Sequence, residues 1–352
     1  MNENTSANWA LFHALCRVLG GQDTSTLANC VTRGDLARLV AIAGQHDVLP
    51  ALAVRCSEQL AASETIDGIE GEQLTAALRD NTVINMKIRA QAVKIARCLN
   101  QAGIIPLFLK GTALLLTDAN RHIGFRRQVD IDVLVKPGQL NQAAHALLAD
   151  GYNFCDLRGG SPGPAAAPQD LAMALKNSTA HHHLPPLAKS ESAATLELHR
   201  HHLPKRLQGR CRLEAIFDAA VQHEKHGAIF TVPSNDHQVI HLILGKLVND
   251  GYLARREFPL REAHDYIGLL ERTAQGLDEA LVKQYCGNNF PRFHCLVTAL
   301  TDYAPAAPIA SNYDVSRDLE LMKLRCNFRS VSSLLNAYAR AAHLSLALLH
   351  NP

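Results

Sequence analysis

The sequence predicts an α+β protein in which a small core with a mixed sheet is flanked by an N-terminal and a C-terminal helical region. Apolar residues recur at three- and four-residue spacing in the early part of the chain and again in its last third, which is the period of amphipathic helices. Between these regions, two short apolar runs are each followed by a helical pattern, an order typical of a small α/β core. A chain of 352 residues is also long enough for more than one folded unit.

The bulk composition is that of an ordinary globular protein. The apolar share is 47% and the charged share 19%, and a formal net charge of +2 gives no overall field that favours nucleic acid. Nine cysteines are scattered singly without a C-x-x-C pair, which indicates reduced thiols. The N-terminus lacks a signal-peptide pattern, and no apolar run approaches the roughly 18 residues of a membrane span. We therefore expect a cytoplasmic protein without a membrane segment.

The first predicted domain, residues 1–102, is helical. The segment "DLARLVAIAGQHDVLPALAVRCSEQL" has the pattern of two helices broken near Pro50. The segment "QLTAALRDNTVINMKIRAQAVKIARCLNQAG" has the pattern of one long helix that ends at Gly103, because glycine commonly follows a helix end.

The second predicted domain, residues 103–205, contains the sheet. The runs "IIPLFL" and "VDIDVLV" predict buried strands, and each precedes a helical pattern, "GTALLLTDA" and "GQLNQAAHALLADGY" respectively. Further along, "STAHHHLPPL" and "AATLELHRHHL" alternate well enough to predict two paired strands. The third predicted domain, residues 206–352, returns to the helical period, and we expect it to be helical almost to its end.

Two aspartates stand one residue apart inside the second predicted strand. Asp130 and Asp132 share one face of that strand, whereas the alternate residues point into an apolar layer. Neighbouring buried carboxylates repel each other, so a cation is expected beside them. Glu197 in "TLELH" lies on another predicted strand between two leucines and is the best candidate for a third acid. Three acids on adjacent strands predict a site for one or two Mg²⁺ ions, with Mn²⁺ as the alternative.

A phosphate-binding pattern precedes this strand. Lys110, Gly111 and Thr112 end the first strand and open a helix, where glycine lets the backbone approach an anion and free N–H groups can bind it. Arg126 or Arg127, just ahead of the acidic strand, would neutralise phosphate charge. Each motif alone is common, and the alternative for the D-x-D strand is a solvent-facing edge. Within one short unit, the motifs together predict a site for a metal and a phosphate.

Histidines are concentrated at the two later strands. If these strands pair, His199 shares a face with Glu197, and a residue of the triplet 181–183 lies opposite. Three interpretations remain open: an exposed polar strand face, hydrogen bonds from His199 or His183 that support a catalytic carboxylate, and a zinc site built from imidazoles. No H-E-x-x-H motif or zinc-finger spacing favours the third interpretation.

The segments "LFLKGTALLL" and "RRQVDIDVLVKPGQLNQAAHALLADGY" resemble the bacterial uncharacterised nucleotidyltransferase family of the DNA polymerase beta superfamily. That family typically shows an L-K-G-x-x-L block, an R-x-x-x-D-[IL]-D-[IL]-L-V block and a helix that ends in G-Y. Its later E-L-H signature is matched by residues 197–199, and a downstream arginine ahead of an aspartate is matched loosely by Arg261 and Asp265. A surface ion pair is the simpler interpretation of that loose match. The resemblance covers residues 104–201 well and the C-terminal helices faintly.

The resemblance implies a magnesium-dependent nucleotidyltransferase. Asp130 and Asp132 would hold the metal, and Glu197 would be the third acid and the base toward the acceptor. An acceptor hydroxyl would attack the α-phosphate of a nucleoside triphosphate such as ATP, and pyrophosphate would leave. The acceptor stays open among a small molecule, an RNA and a protein, and the sequence does not indicate an oligomeric state.

The same resemblance implies that Lys110, Gly111 and Arg126 contact the triphosphate. Thr112 stands where the wider superfamily has a serine; it can supply a hydroxyl to the nucleotide, but the phosphate contacts of better-known members do not carry over directly. Two functions of other classes remain as alternatives: a non-catalytic nucleotide-binding or adaptor protein, and a metallohydrolase centred on the histidines.

Overall fold

The structure is a computed structural model, and it describes residues 3–21, 25–32, 34–59, 66, 68–119, 122–156, 163–164, 171–177, 181–273, 276–305, 309–310, 312–328, 332–337 and 339. In chain order, the elements are α1 (Glu3–Gly20), α2 (Ser25–Thr32), α3 (Leu36–Gln45), α4 (Leu49–Gln59), α5 (Ile69–Gln101), β1 (Leu107–Phe108), α6 (Lys110–Leu116), β2 (Asp130–Leu134), α7 (Leu140–Ala149), β3 (Asn153–Asp156), β4 (Gly163–Pro164), α8 (Leu171–Asn177), β5 (Leu187–Ala188), β6 (Thr195–His199), α9 (Leu213–Asp218), β7 (Val221–Lys225), β8 (Ala228–Val232), α10 (Asn235–His241), a π-helix (Leu242–Val248), α11 (Tyr252–Arg255), α12 (Leu260–Glu271), α13 (Glu279–Cys286), α14 (Asn289–Thr301) and α15 (Ser316–Asn327).

Contacts group the chain into two compact units. Unit 1 comprises Met1–Thr82, Gly124–Arg127 and Leu242–Pro352, and unit 2 comprises Val83–Ile123 and Gln128–His241. Among the described residues, the elements of unit 1 are all helical and the strands belong to unit 2. The division into domains at residues 102/103 and 205/206 stays a prediction.

The predicted N-terminal helices are present. The first helix of the broken pair ends at Gln45 and the second begins at Leu49, so Pro50 lies in the first turn of α4, where its missing N–H removes no helical hydrogen bond. The long helix α5 ends at Gln101, and Gly103 follows with a φ of 71°.

Unit 2 is built on a mixed sheet flanked by helices, which confirms the predicted fold class. Seven strands lie in the order β3-β5-β6-β2-β1-β8-β7, and the two-residue strand β4 pairs with β3 at one edge. β2 pairs parallel with β6 and antiparallel with β1, while β1 pairs parallel with β8. The two predicted acidic strands, β2 and β6, are therefore neighbours near the middle of the sheet.

One face of the sheet is covered by the apolar core of unit 2. Ile131 and Val133 of β2, together with Leu196 and Leu198 of β6, are fully buried and pack in one cluster with residues of α5 and α7. Burying one such side chain contributes about 1.5–3 kcal/mol. Because side chains alternate along a strand, the acidic residues between them project from the opposite face.

Two amide side chains of α5 fix the strands of unit 2. Gln91 donates a hydrogen bond of 2.9 Å to the carbonyl of Ala194 and accepts the N–H groups of Ala193 and Ala194, directly before β6 begins. Asn100 donates to the carbonyl of Ile229 in β8 and accepts its N–H. These bonds satisfy backbone groups at both strands, and so they hold β6 and β8 against α5.

The expectation that residues 206–352 are helical almost throughout is wrong for one hairpin. β7 and β8 are joined by a two-residue turn in which His226 and Gly227 both have positive φ values, 51° and 72°, as a tight hairpin turn requires. Ala228, Phe230 and Val232 are buried, while Ile229 and Thr231 between them are half-buried. This two-residue period distinguishes a strand from a helix.

The predicted pairing of the two histidine-rich strands is confirmed in part. β5 pairs antiparallel with β6 but covers only two residues, because Pro185 and Pro186 lack the N–H that a ladder needs. Upstream of these prolines, His183 forms an isolated antiparallel bridge with His199. The first residues of the predicted strand, 178–180, lie outside the described residues.

The described helices include none that is both long and apolar enough to cross a membrane. None of the nine cysteines forms a disulfide bond.

Candidate active site

The parallel pairing of β2 with β6 brings two of the predicted acids together. Asp132 pairs with Glu197 in the strand register, so their side chains project from neighbouring positions on the same face. His199 follows two residues later on that face of β6. The side chains of Asp132 and His199 are almost fully buried, at 0% and 1% exposure, whereas that of Glu197 is 19% exposed. Asp132 and His199 therefore form a buried part of the site, and the carboxylate of Glu197 reaches solvent.

Asp132 is the central residue of this site, and its two oxygens differ. The Oδ1 atom accepts hydrogen bonds from the Lys110 ammonium at 2.6 Å and from His199 Nε2 at 3.0 Å. The Oδ2 atom is buried and has no hydrogen-bond partner among the described residues. The same His199 nitrogen lies 3.4 Å from Glu197 Oε2. A buried carboxylate oxygen without a partner is costly, so Oδ2 is the atom at which a bound cation would restore the lost interaction.

Lys110 enters the site from the start of α6. Leu109 before it is extended, and Lys110 has a φ of 50°, in the left-handed region that costs a residue with a side chain roughly 1–2 kcal/mol. Backbone strain of this kind clusters at active sites and ligand-binding regions. The lysine side chain remains 42% exposed, although the carboxylate that it binds is not exposed at all.

The charges of the site reinforce one another. Burial alone would keep Asp132 neutral, but the Lys110 charge and the His199 hydrogen bond outweigh burial and hold the pKa of Asp132 well below its usual range. Burial would also raise the pKa of Glu197, yet the hydrogen bond from His199 leaves that pKa lowered. Both acids are therefore ionised at neutral pH.

The pKa values of the two basic partners shift in the opposite direction. Burial disfavours the charged form of Lys110, but the carboxylates of Asp132, Asp130 and Glu197 outweigh it and raise the lysine's pKa. The pKa of His199 is also raised, because its hydrogen bonds to Asp132 and Glu197 overcome the effect of burial. The cation expected between the acids is thus a lysine of the chain itself, with an imidazole beside it.

The donor set of the site fits a divalent metal. One oxygen each from Asp132 and Glu197 and one ring nitrogen of His199 lie within 4.8 Å of one another, the one such group of three found in the described part of the chain. Carboxylate oxygens suit Mg²⁺ and Mn²⁺, while imidazole is more often a ligand of transition metals. Asp130 is half-buried on the same face, two residues before Asp132, and lies outside this group. Its role as a metal ligand stays a prediction.

Gly111 and Thr112 are buried in the first turn of α6. The Thr112 hydroxyl lies 3.4 Å from the Asp130 carbonyl and 3.3 Å from the Gln128 amide, which also donates to that carbonyl. The hydroxyl therefore ties α6 to the start of β2. The predicted contacts of Gly111 and Thr112 with a nucleotide stay predictions.

Arg126 belongs to unit 1 and is bound there by Asp265. Its Nε donates to both carboxylate oxygens of Asp265, at 2.9 and 2.8 Å, and the arginine side chain is 12% exposed. The expected surface ion pair between Arg261 and Asp265 is wrong, because Asp265 is buried and Arg261 pairs with Glu262 at 2.7 Å. The predicted contact of Arg126 with a triphosphate stays a prediction.

The histidine triplet faces the site through two rings. The ring centroids of His182 and His183 lie 5.3 and 5.1 Å from that of His199, which confirms that part of the triplet lies opposite it. Burial lowers the pKa of His182 to about 3 and keeps it neutral. No three imidazoles form a ligand group in the described ranges. His199 thus contacts the acids directly, while a site made of imidazoles alone has no support.

Gln128 is a residue of the site region that sequence reasoning missed. Its side-chain amide is buried and holds the backbone of Asp130 and the hydroxyl of Thr112. The available signal was its position, since Gln128 alternates with Asp130 and Asp132 and so lies on their face of the chain. A buried amide at that position stabilises the backbone at the start of β2.

Comparison with known proteins agrees with this geometry. The model of a family described as uncharacterised nucleotidyltransferase matches residues 32–302, well over half of the chain. Neither the curated proteins nor the solved structures contain a match. The matched range includes both strands that carry the acids as well as Lys110, and the family description indicates a transferase that acts on a nucleoside triphosphate. The chain therefore belongs to the uncharacterised nucleotidyltransferase family.

Proposed function

We propose that the protein is a Mg²⁺-dependent nucleotidyltransferase that moves a nucleoside monophosphate from a nucleoside triphosphate to an acceptor hydroxyl and releases pyrophosphate. One observation carries this proposal. Asp132 is fully buried and has a lowered pKa, lies in register with Glu197, and has one oxygen without a hydrogen-bond partner among the described residues. A buried carboxylate in that condition favours binding of a cation. Membership of the nucleotidyltransferase family supports a nucleoside triphosphate as the substrate.

Asp132 and Glu197 would hold the metal, with His199 as the third donor and Asp130 as a further ligand on the same face. When bound, the metal polarises phosphoryl oxygens and offsets the charge that develops during transfer. Mn²⁺ is the alternative ion, because the imidazole of His199 suits it better than Mg²⁺.

The chain's own residues supply the proton acceptor and the positive charge. Glu197 is ionised and partly exposed, so its carboxylate is the group able to take the proton of the acceptor hydroxyl. The acceptor oxygen then bonds to the α-phosphorus, and the bond from that phosphorus to the β-phosphate oxygen breaks. The ammonium of Lys110 binds the triphosphate and offsets the charge of the departing pyrophosphate. Gly111, Thr112 and Arg126 are proposed as further triphosphate contacts on the resemblance alone.

The alternatives are less well supported. A protein that only binds nucleotides has no need of two ionised carboxylates in register, one of them fully buried. A metallohydrolase built on imidazoles would need a group of three histidines, and the ligand group of this site contains one.

The direct test is label transfer. Each of the four α-³²P-labelled nucleoside triphosphates is incubated with the protein, Mg²⁺ or Mn²⁺ and fractionated cell extract. We expect one fraction to become labelled, with release of pyrophosphate, and we expect the Asp130→Asn, Asp132→Asn double variant to abolish the transfer. Asp150→Asn is the matched control, because Asp150 is an exposed aspartate of unit 2 that pairs with Lys189.

Three results would contradict the proposal. Transfer that survives the double variant would remove these residues from the reaction. Nucleotide binding without pyrophosphate release would favour the adaptor, and stoichiometric Zn²⁺ in the purified protein would favour the metallohydrolase.

A further inference from the structure

We propose that Lys110 is a resident cation of the acid site: it balances Asp132 in the nucleotide-free protein, opposes metal binding there, and moves to the phosphates when nucleotide and metal bind together. This inference rests on the proposed function. It makes Lys110 the residue that couples metal binding to nucleotide binding, in addition to its proposed contact with the triphosphate.

The geometry of the pair carries the first step. The Lys110 ammonium lies 2.6 Å from Asp132 Oδ1, and the carboxylates of Asp130 and Glu197 also stabilise its positive charge. A lysine ammonium is a compact point charge, so it satisfies the acids without the fixed geometry of an arginine. Lys110 therefore already offsets part of the negative charge of these acids.

The second step is competition between charges of the same sign. A divalent ion bound by Asp132 shares one carboxylate with the ammonium of Lys110. Like charges at such separations repel strongly in a buried site, where water screens them poorly. Binding of the metal alone must therefore displace Lys110 or tolerate its repulsion, and either cost lowers the affinity.

The third step is that Lys110 is able to leave. Its side chain is 42% exposed, whereas the carboxylate of Asp132 is fully buried. The flexible four-carbon stem allows the ammonium to move toward solvent while the strands stay in place. Triphosphate oxygens offer the ammonium of Lys110 a new partner, so its repulsion of the metal at Asp132 is removed. Nucleotide and metal should accordingly favour each other's binding.

Removal of the lysine charge tests the inference, because the effects on the two ligands have opposite signs. Mn²⁺ binding to the full-length protein is measured by electron paramagnetic resonance of free Mn²⁺, with and without an α,β-methylene triphosphate analogue. In Lys110→Met, we expect Mn²⁺ alone to bind about tenfold tighter, while the analogue binds more weakly and enhances Mn²⁺ binding less.

Two further variants complete the design. Lys110→Gln removes the charge with a polar side chain, and it replaces the methionine variant if that protein does not fold. Lys189→Met is the matched control, because Lys189 lies at the same 2.6 Å from Asp150 but in an exposed pair. We expect no change of Mn²⁺ affinity in this control.

The outcomes separate this inference from the proposed function. If Mn²⁺ binds equally tightly, or more weakly, when the Lys110 charge is removed, the inference is overturned while the metal site stands. If wild type and variants all fail to bind Mn²⁺ even with the analogue, the proposed function and the inference both fall.

Discussion

Unit 1 and unit 2 each contain a buried aspartate held by a basic residue, and the two sites differ in whether both carboxylate oxygens have hydrogen-bond partners. In unit 1, both oxygens of Asp265 accept from one nitrogen of Arg126, at 2.8 and 2.9 Å. In unit 2, one oxygen of Asp132 takes both Lys110 and His199, and the other has no hydrogen-bond partner among the residues described. The first arrangement is a closed pair and the second is an open site. Burial of a carboxylate alone does not indicate function, whereas a buried carboxylate oxygen without a hydrogen-bond partner requires an explanation such as a bound ion.

The pKa values of the two aspartates shift in opposite directions. Burial raises the pKa of Asp265, and neighbouring Glu262 adds to this, so that Arg126 offsets the shift only in part. At Asp132 burial acts in the same sense, but Lys110 and His199 outweigh it and the pKa falls. The open site thus keeps its carboxylate ionised, which is the state that binds a cation. The closed pair stabilises the fold around it.

The largest effect is expected when the open site loses its charge. Asp132→Asn should lower nucleotidyl transfer by about 10³-fold, because metal stabilisation of a transition state is worth several kcal/mol. Single-turnover label transfer measures it, with Asp150→Asn as the control that keeps the wild-type rate. A rate within tenfold of wild type would show that Asp132 takes no part in the reaction.

The next effect concerns the stability of the closed pair. Asp265→Asn leaves the buried guanidinium of Arg126 without its counter-charge, so the free energy of unfolding should fall by about 3 kcal/mol. Urea denaturation followed by circular dichroism measures the change. Replacing both partners, Arg126→Met with Asp265→Leu, should recover part of the loss.

The control for this variant is Asp80→Asn in unit 1, where an exposed aspartate pairs with Arg79. It should change the free energy of unfolding by less than about 0.5 kcal/mol. If Asp265→Asn were as stable as this control, the description of Asp265 as a structural partner of Arg126 would be wrong.

The sequence predicted the shared face of the acids but not the partner of Asp265, and distance along the chain explains why. The shared face of Asp130 and Asp132 follows from strand alternation, and "TLELH" carries the third acid in the same local pattern. The partner of Asp265 lies 139 residues away in the chain, so spacing along a helix pointed to Arg261 instead. Local patterns identify faces, whereas tertiary packing selects partners.

The fold contains one hairpin that the sequence did not predict, and the length of its strands explains why. The hairpin of β7 and β8 is short and lies between helical segments, so its two-residue period was lost in the longer helical pattern. The parallel register of Asp132 with Glu197 also depends on how strands that are distant in sequence come together. Alternation predicted that both acids lie on one face of their strands, but it did not predict the register between β2 and β6.

A further contrast, within unit 2, is between a buried histidine hydrogen-bonded to a carboxylate and one hydrogen-bonded to a backbone carbonyl. His199 has a raised pKa, whereas burial and the Lys110 charge lower the pKa of His241 to about 4. Below pH 6.5 the unfolded chain binds a proton at residue 241 and the folded protein does not, so stability falls as the pH drops from 6.5 toward 4. At pH 5 this loss is about 2 kcal/mol.

His241→Gln should remove that part of the acid sensitivity, since glutamine can still donate to the carbonyl of His202, which His241 contacts at 2.8 Å. Urea denaturation at pH 7.5 and pH 5 measures the difference, and His145→Gln, an exposed residue of α7, is the control. An equal loss of stability on acidification in wild type and His241→Gln would contradict the assignment.

The smallest effect on stability is expected for an ion pair that has the same N–O distance as Lys110–Asp132 but partly exposed side chains. Lys189 lies 2.6 Å from Asp150, the distance that also separates Lys110 from Asp132, but both side chains of this pair are partly exposed, at 31% and 41%. A double-mutant cycle on the free energy of unfolding, with Lys189→Met and Asp150→Asn, should give a coupling below about 1 kcal/mol. The cycle with Lys110→Met and Asp132→Asn should give a clearly larger coupling, because water screens that buried carboxylate less. Equal couplings would mean that burial does not distinguish the two pairs, and that the unused oxygen of Asp132 must be explained by something other than its low-dielectric surroundings.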